Sequence, residues 1–146
     1  MKEMEQEQVL VRIKGVQRTP EGEENTLETE AGGRYAFRSG RHYVRYEETG
    51  LAEAGKVFTT LKFNEEKLTI LRHGAMEQTM EFMLGKESRS LYPTPLGNLS
   101  LALQTEFFGL DLSSEVKKLR VEYSLALEGV PQSRNSLYIE IEPISW

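Results

Sequence analysis

Between Lys56 and Arg72, apolar side chains recur at every second position with few exceptions. Because successive side chains of a strand point to opposite faces, this pattern predicts a half-buried hairpin with its tip at Glu65 and Glu66. The register set by that tip makes three pairs: Phe63 with Leu68, Leu61 with Ile70, and Thr59 with Arg72. A shift by one residue would turn the apolar side chains outward. The sequence therefore places an arginine at the end of a row that is expected to be buried.

A period of two also runs through most of the remaining chain. The predicted strands are 8–18, 24–30, 34–38, 42–48, 56–63, 67–72, 76–84, 99–105, 119–128 and 137–142. Short turns separate them, and the glycine-rich stretch 31–33 is expected to close a three-residue hairpin loop. That hairpin places Leu27 opposite Phe37, with both side chains inward, and Glu30 opposite Arg34.

Two stretches depart from the alternation. Residues 91–97 contain two prolines, so they are not expected to form a regular central strand. Within them, residues 94–97 fit a β-turn with proline second and glycine fourth. Residues 106–115 are expected to form a longer connection that holds a short helix capped by Ser113 or Ser114.

Eight to ten strands joined by short turns, with little helical pattern, predict an all-β domain. Hairpin connections favour a single antiparallel up-and-down β-barrel, since closing the sheet removes its exposed edges. One domain is expected to span 1–146, with residues 1–7 either frayed or extending the first strand.

Composition narrows the classes of function. The chain of 146 residues has no cysteine and two histidines, which predicts neither a disulfide nor a metal site, and no cofactor is expected. It shows no hydrophobic secretory signal and no apolar run of membrane-spanning length, so we expect a cytoplasmic protein without a membrane partner. The net charge of −5 disfavours a general nucleic-acid binder.

Charged and polar side chains on predicted inward faces are the first candidates for a site. Arg72 lies opposite Thr59, while Glu48 and Tyr46 share the inward face of the strand 42–48. A guanidinium and a carboxylate at a barrel mouth can orient an anionic or polar ligand above an apolar interior. The alternative, which the sequence favours, is an internal salt bridge, because a buried charge needs a partner.

Tyr92 and Thr94 belong to the proline-containing turn and are further candidates for ligand contacts at the same opening. A rigid turn positions side chains well. A tight corner between strands requires the same residues, and the corner is the favoured interpretation.

The segment 34–45 is unusually basic and aromatic. Its four arginines are Arg34, Arg38, Arg41 and Arg45. Such a segment can serve as an exposed surface for a protein partner, the second hypothesis for function. Nucleic-acid binding at these arginines is a weaker alternative, since glutamates on the neighbouring strand reduce the positive field.

Several short motifs resemble a known family of bacterial proteins, the YwiB-like family. The motifs are Tyr46-Glu-Glu, Thr59-Thr-Leu-Lys, Arg72-His-Gly, Met80-Glu-Phe, Gly85, and Tyr92-Pro-Thr-Pro-Leu-Gly. The resemblance spans roughly residues 9–144, and it implies a calycin-type (lipocalin-like) barrel with strands in meander order. It implies no reaction, because the family has no assigned activity.

Calycins elsewhere bind small molecules in the barrel, and by analogy of fold the first hypothesis is a protein that binds a small apolar, amphipathic or anionic ligand. An enzyme built around Arg72 and Glu48 is the weakest hypothesis, because no residue spacing marks a catalytic site. No catalytic residue is therefore assigned, and the oligomeric state stays open.

Overall fold

The computed structural model describes residues 6–48, 55–75 and 77–144. These residues form ten strands and no helix. The strands are β1 (Glu7–Arg18), β2 (Glu24–Arg38), β3 (Arg41–Glu47), β4 (Val57–Phe63), β5 (Lys67–Gly74), β6 (Gln78–Met83), β7 (Glu87–Thr94), β8 (Gly97–Asp111), β9 (Lys117–Leu127) and β10 (Val130–Pro143). Residues 1–5 of the expected N-terminal extension, and Met76 of the predicted strand 76–84, lie outside the described residues. No helix in the described part of the chain is long and apolar enough to cross a membrane.

The strands form one antiparallel sheet that curls into a nearly closed barrel. Its order is β6-β5-β4-β3-β2-β1-β10-β9-β8-β7, so every pair consists of chain neighbours except β1 with β10. The remaining gap lies between β6 and the β7–β8 hairpin. There the Gly85 amide donates to the Thr105 carbonyl at 3.2 Å, and the Thr105 amide donates to the Lys86 carbonyl at 3.3 Å. The expected all-β, up-and-down antiparallel barrel is confirmed.

The central hairpin has the predicted register. β4 and β5 pair Phe63 with Leu68, Leu61 with Ile70, and Thr59 with Arg72. The four inward residues of β4 are almost completely buried, while the three between them are partly exposed. The alternation of the sequence is therefore the alternation between the interior and the outer surface of the barrel.

The predicted hairpin at 31–33 is wrong. β2 is one continuous strand, which pairs with β1 along residues 24–35 and with β3 along residues 33–38. A Cβ on Gly33 would lie 2.7 Å from the carbonyl oxygen of Arg45, so this glycine allows close approach of two backbones instead of a turn.

The continuous strand changes the neighbours of several residues. Leu27 is 69% exposed and Phe37 44% exposed, so neither lies inward as predicted. Arg34 pairs with Gln8 and Arg45 instead of Glu30. The residue pairs predicted from the incorrect loop are wrong together, because a single register sets all the pairs along a strand.

The predicted connection and helix at 106–115 are also wrong. β8 continues to Asp111, with a β-bulge between Thr105 and Phe107. The extra residue shifts the alternation by one, so Phe108 packs against the core while Phe107 is 42% exposed. The amide and hydroxyl of Ser113 bond to the Asp111 carboxylate in a turn, and do not cap a helix.

Strand β7 was not predicted, because prolines dominate its end. It pairs with β8 and not with β6, so Pro93 lies in an edge strand, where a missing N–H donor is tolerated. Thr94 and Gly97 form the last pair of this hairpin, which confirms the predicted turn at 94–97.

Packed side chains fill the interior of the barrel. The buried cluster comprises Val9, Val11, Val44, Tyr46, Leu61, Phe63, Leu68, Ile70, Phe82, Leu103, Leu119, Val121, Ile139 and Ile141. Phe82 on β6 and Tyr123 on β9 meet edge to face, with ring centroids 4.9 Å apart. This contact spans the gap at which the sheet closes, so apolar packing supplements the two backbone hydrogen bonds there.

The adjacent glycines of β2 give a matched test of the continuous strand. Gly33→Ala is expected to destabilise the protein by about 1–3 kcal/mol, because the new methyl group overlaps the Arg45 carbonyl. Gly32→Ala is the control, since its Cβ would meet nothing within 4 Å, and a gain of about 0.4–1 kcal/mol is expected. Urea unfolding measures both values, and equal effects of the two substitutions would contradict this geometry.

Candidate functional site

Four of the predicted site residues meet at one end of the barrel. Glu48 directly follows β3, and its amide donates to the Val57 carbonyl at 2.8 Å, which extends the pairing with β4. Thr59 lies in register with both Tyr46 and Arg72. The Thr59 hydroxyl donates to Oε1 of Glu48 at 2.6 Å, and Nε of Arg72 lies 3.5 Å from the same oxygen. The strands β3, β4 and β5 therefore converge on the Glu48 carboxylate.

This ion pair is largely shielded from solvent. The side chain of Glu48 is 11% exposed and that of Arg72 is 26% exposed. Nη1 of Arg72 donates to Oε1 of Gln78 at 2.9 Å across the β5–β6 pair. Its Nε atom is buried and makes no hydrogen bond to the described residues, because the contact with Glu48 is long and poorly directed. The guanidinium thus retains donor capacity inside the barrel.

Strands β8 and β9 also carry polar groups that face the interior. Thr105 on β8 is 1% exposed, and its hydroxyl also lacks a hydrogen-bond partner among the described residues. Its register partner on β9 is Tyr123. Burial raises the pKa of the Tyr123 phenol, and the positive charge of Arg72 acts in the opposite direction. The electrostatic influence of Arg72 therefore reaches across the interior to the β8–β9 wall.

Tyr46 is held as a neutral phenol in this environment. It is 5% exposed, and burial is the main cause that raises its pKa above the usual value. The negative charge of Glu48 raises this pKa further, while Arg72 lowers it. A phenol beside a carboxylate serves as a hydrogen-bond donor, and Glu48 is the carboxylate beside Tyr46.

The other two predicted residues belong to the β7–β8 hairpin. Thr94 stabilises its own turn, where its hydroxyl accepts from the Leu96 amide at 3.2 Å and donates to the Gly97 carbonyl. Tyr92 belongs to the edge strand β7, where its backbone pairs with Leu99. The structure therefore does not bring Thr94 into the cluster around Arg72.

Two residues near Arg72 were not predicted as site residues: Gln78 and Tyr123. The alternation of the sequence does place both on an inward face. Tyr123 comes within electrostatic reach of Arg72 through the closure of the barrel, which no local pattern encodes. Closure places Thr105 beside Gly85 and Lys86, past the end of β6 that lies away from Gln78, so Thr105 is separate from this group. We call Tyr46, Glu48, Thr59, Arg72, Gln78 and Tyr123 together the polar cluster.

His42 takes part in a separate aromatic cluster on β2, β3 and β4. The Tyr35 hydroxyl lies 2.7 Å from its Nδ1, and its ring stacks on Phe63 with centroids 4.9 Å apart. Burial lowers the pKa of His42, and the nearby charge of Lys117 lowers it further. A neutral, stacked imidazole is a packing element here. Among the described residues no three His, Asp or Glu side chains are grouped so that they could hold a metal ion.

Fold and polar cluster together define an antiparallel β-barrel protein with a filled interior and an ion pair at one end. The family model described as Domain of unknown function (DUF1934) matches residues 11–139. The chain therefore belongs to this family of unknown function, which agrees with the resemblance seen in its motifs.

Known relatives support the same fold. The Uncharacterized beta-barrel protein YwiB of Bacillus subtilis (strain 168) is 24% identical over 122 residues, which cover 84% of this chain and 84% of that protein. The crystal structure of the ywiB protein from Bacillus subtilis matches with a TM-score of 0.81 and 23% identity, over 96% of this chain and 94% of that one. At this identity the likeness establishes the fold and not the chemistry of the polar cluster.

The raised pKa of Tyr46 predicts a loss of stability at alkaline pH. A tyrosine in the unfolded chain releases its proton near pH 10, whereas folded Tyr46 retains it. Stability from this group is complete below about pH 10 and falls as the pH rises further, because the unfolded state then binds fewer protons. Tyr46→Phe is expected to flatten this fall in urea-unfolding free energy between pH 9 and about 11.

Tyr138→Phe serves as the control, since Tyr138 is 37% exposed on the outer surface. Its slope with pH should match that of the wild type. An unchanged slope in Tyr46→Phe would show that the phenol of Tyr46 is not held in its neutral form.

Proposed function

We propose that this barrel is a non-catalytic binding protein that takes the anionic group of a small molecule at the polar cluster. Arg72 supplies the positive charge, and the Tyr123 phenol supplies a further hydrogen-bonding group. Glu48 and Gln78 hold the guanidinium in place, Thr59 holds the Glu48 carboxylate, and the buried Nε atom of Arg72 makes no hydrogen bond to the described residues.

The observation that supports this proposal most is the buried Nε atom of Arg72, which makes no hydrogen bond to the described residues. A buried polar atom without a partner costs about 1–3 kcal/mol, and more for a charged group. Proteins tolerate such a cost chiefly at functional sites. An ion pair that served only the fold would satisfy its donors, as Arg12 does with three glutamates on the outer surface.

The packed interior restricts the kind of ligand. Apolar side chains of eight strands already occupy the space that a lipocalin-like protein would offer to a large apolar molecule. We therefore limit the proposed ligand to a compact molecule whose carboxylate or phosphate is its main recognised group. The calycin likeness contributes only an analogy of fold to this proposal.

Thr105→Val and Thr59→Val compare an unpaired buried hydroxyl with a paired one. Valine keeps the shape of threonine and removes the unpaired hydroxyl of Thr105, which lies outside the polar cluster, so we expect stability to rise by about 1–3 kcal/mol while anion binding is unchanged. Thr59→Val is the matched control, because it removes a hydroxyl that is bonded to Glu48, and it should lower stability. Thermal and urea unfolding compare the two variants.

Binding itself is measured by amide NMR titration with formate, acetate, phosphate and sulfate. In the wild type, at least one anion should produce saturable shifts centred on Arg72, Gln78 and Tyr123. Those shifts should disappear in the double variant Glu48→Gln/Arg72→Met, which removes both charges and leaves neither one unpaired. Absence of such shifts for every anion, or identical shifts in the double variant, would overturn the proposal.

A further inference from the structure

The outer surface of β2, β3 and β4 concentrates positive charge. The residues that point outward there include five cations: Arg34, Arg38, Arg41, Arg45 and Lys62. Registers place Arg34 beside Arg45, Arg38 beside Arg41, and Lys62 beside Tyr43. Tyr43 therefore lies in the middle of the group, and we call these five cations with Tyr43 and Phe58 the basic face.

Ion pairs do not neutralise four of these five cations within the described residues. Arg34, Arg41, Arg45 and Lys62 make no ion pair with any residue in 6–48, 55–75 or 77–144. Like charges on directly opposite residues of neighbouring strands destabilise a sheet. Because the chain as a whole carries a net charge of −5, acidic side chains were available to neutralise these residues.

Aromatic rings hold two of these arginines in place. The Arg45 guanidinium lies 5.0 Å from the centre of the Phe58 ring, and that of Arg38 lies 5.8 Å from the centre of the Tyr43 ring. The Arg45 guanidinium, stacked on the Phe58 ring, presents its N–H groups at the edge, where they match the two oxygens of a carboxylate. Rings covered in this way are less available to stack with nucleic-acid bases.

A groove runs beside the basic face. It has a volume of about 610 Å³, and its lining includes Gly32, Gly33, Arg34, Arg45 and Phe58. A Cβ on Gly32 would meet no atom within 4 Å, so the missing side chain leaves the floor of the groove open. The backbone of an extended peptide fits this kind of space, with its side chains reaching the arginines on either side.

We propose that the basic face docks an acidic segment of another protein, rich in Asp and Glu, with its backbone in the groove above Gly32. Carboxylates of that segment pair with Arg34, Arg41 and Arg45, which removes the repulsion between the arginines. Glu47 is the acidic residue that lines the groove, and it limits the affinity. This surface lies on the outside of β2, β3 and β4, whereas Arg72 lies on the inner side of β5, so the inference is independent of the proposed anion site.

The test uses fluorescence anisotropy with a labelled peptide of alternating glutamate and glycine, at low and high salt. Arg34→Glu/Arg45→Glu is expected to weaken peptide binding by about tenfold or more, because two attractions become repulsions. Lys14→Glu/Lys118→Glu changes the net charge equally at exposed sites elsewhere, and it should leave binding within about twofold. Circular dichroism and thermal melting confirm that each variant is folded.

Two further variants test the groove itself. Gly32→Leu fills its floor without any change in charge, and a loss of about fivefold or more in peptide affinity is expected. Glu47→Gln removes the acidic residue of the lining, and the affinity should rise by about twofold to threefold.

Three outcomes would overturn the inference: no peptide binding at millimolar concentration, equal losses in the two charge-reversal variants, or an unchanged affinity in Gly32→Leu. A labelled oligothymidylate is measured in parallel. If it binds more tightly than the peptide and depends on Arg34 and Arg45, the surface is specific for nucleic acid and the proposal of a protein partner is wrong.

Discussion

The structure depends on one constraint: every second side chain of the curled sheet must fill a shared interior. The ring closes only if the inward side chains of β6 meet those of β8 and β9, as Phe82 and Tyr123 do. Close packing makes such an interior intolerant of both gaps and excess volume. The alternation therefore decides the fold, the register of each hairpin and the space left for any ligand.

The same constraint sorts the charged residues into two environments. Inside, the buried charges of Glu48 and Arg72 are tolerated because Thr59, Tyr46 and Gln78 lie beside them on inward positions of neighbouring strands. Outside, the arginines of β2 and β3 accumulate on one face, where Glu47 is an acidic neighbour. The inner side of β3, β4 and β5 thus carries Glu48, Thr59 and Arg72 of the proposed anion site, the outer side of β2, β3 and β4 carries the proposed peptide surface, and neither needs a residue of the other.

The sequence predicted the structural features that follow from strict alternation of inward and outward residues. It missed the features that interrupt this alternation. The register from Thr59 to Arg72 and the meeting of Glu48 with Arg72 followed from the period of two. The glycines around Gly33 predicted a turn, because glycine occurs both in turns and where two backbones approach closely. The bulge after Thr105 reversed the alternation, and that region consequently resembled a loop. Tyr123 was expected to point inward, but its electrostatic interaction with Arg72 follows from ring closure, which involves residues far apart in the sequence.

The most direct test of the filled interior is xenon binding, followed by methyl NMR and by diffraction from pressurised crystals. Xenon enters empty apolar cavities in proteins. The packing of Leu61, Phe82 and Val121 predicts no xenon site inside the barrel and no saturable shift of their resonances. A xenon atom bound among these side chains would show an open interior and would contradict the account.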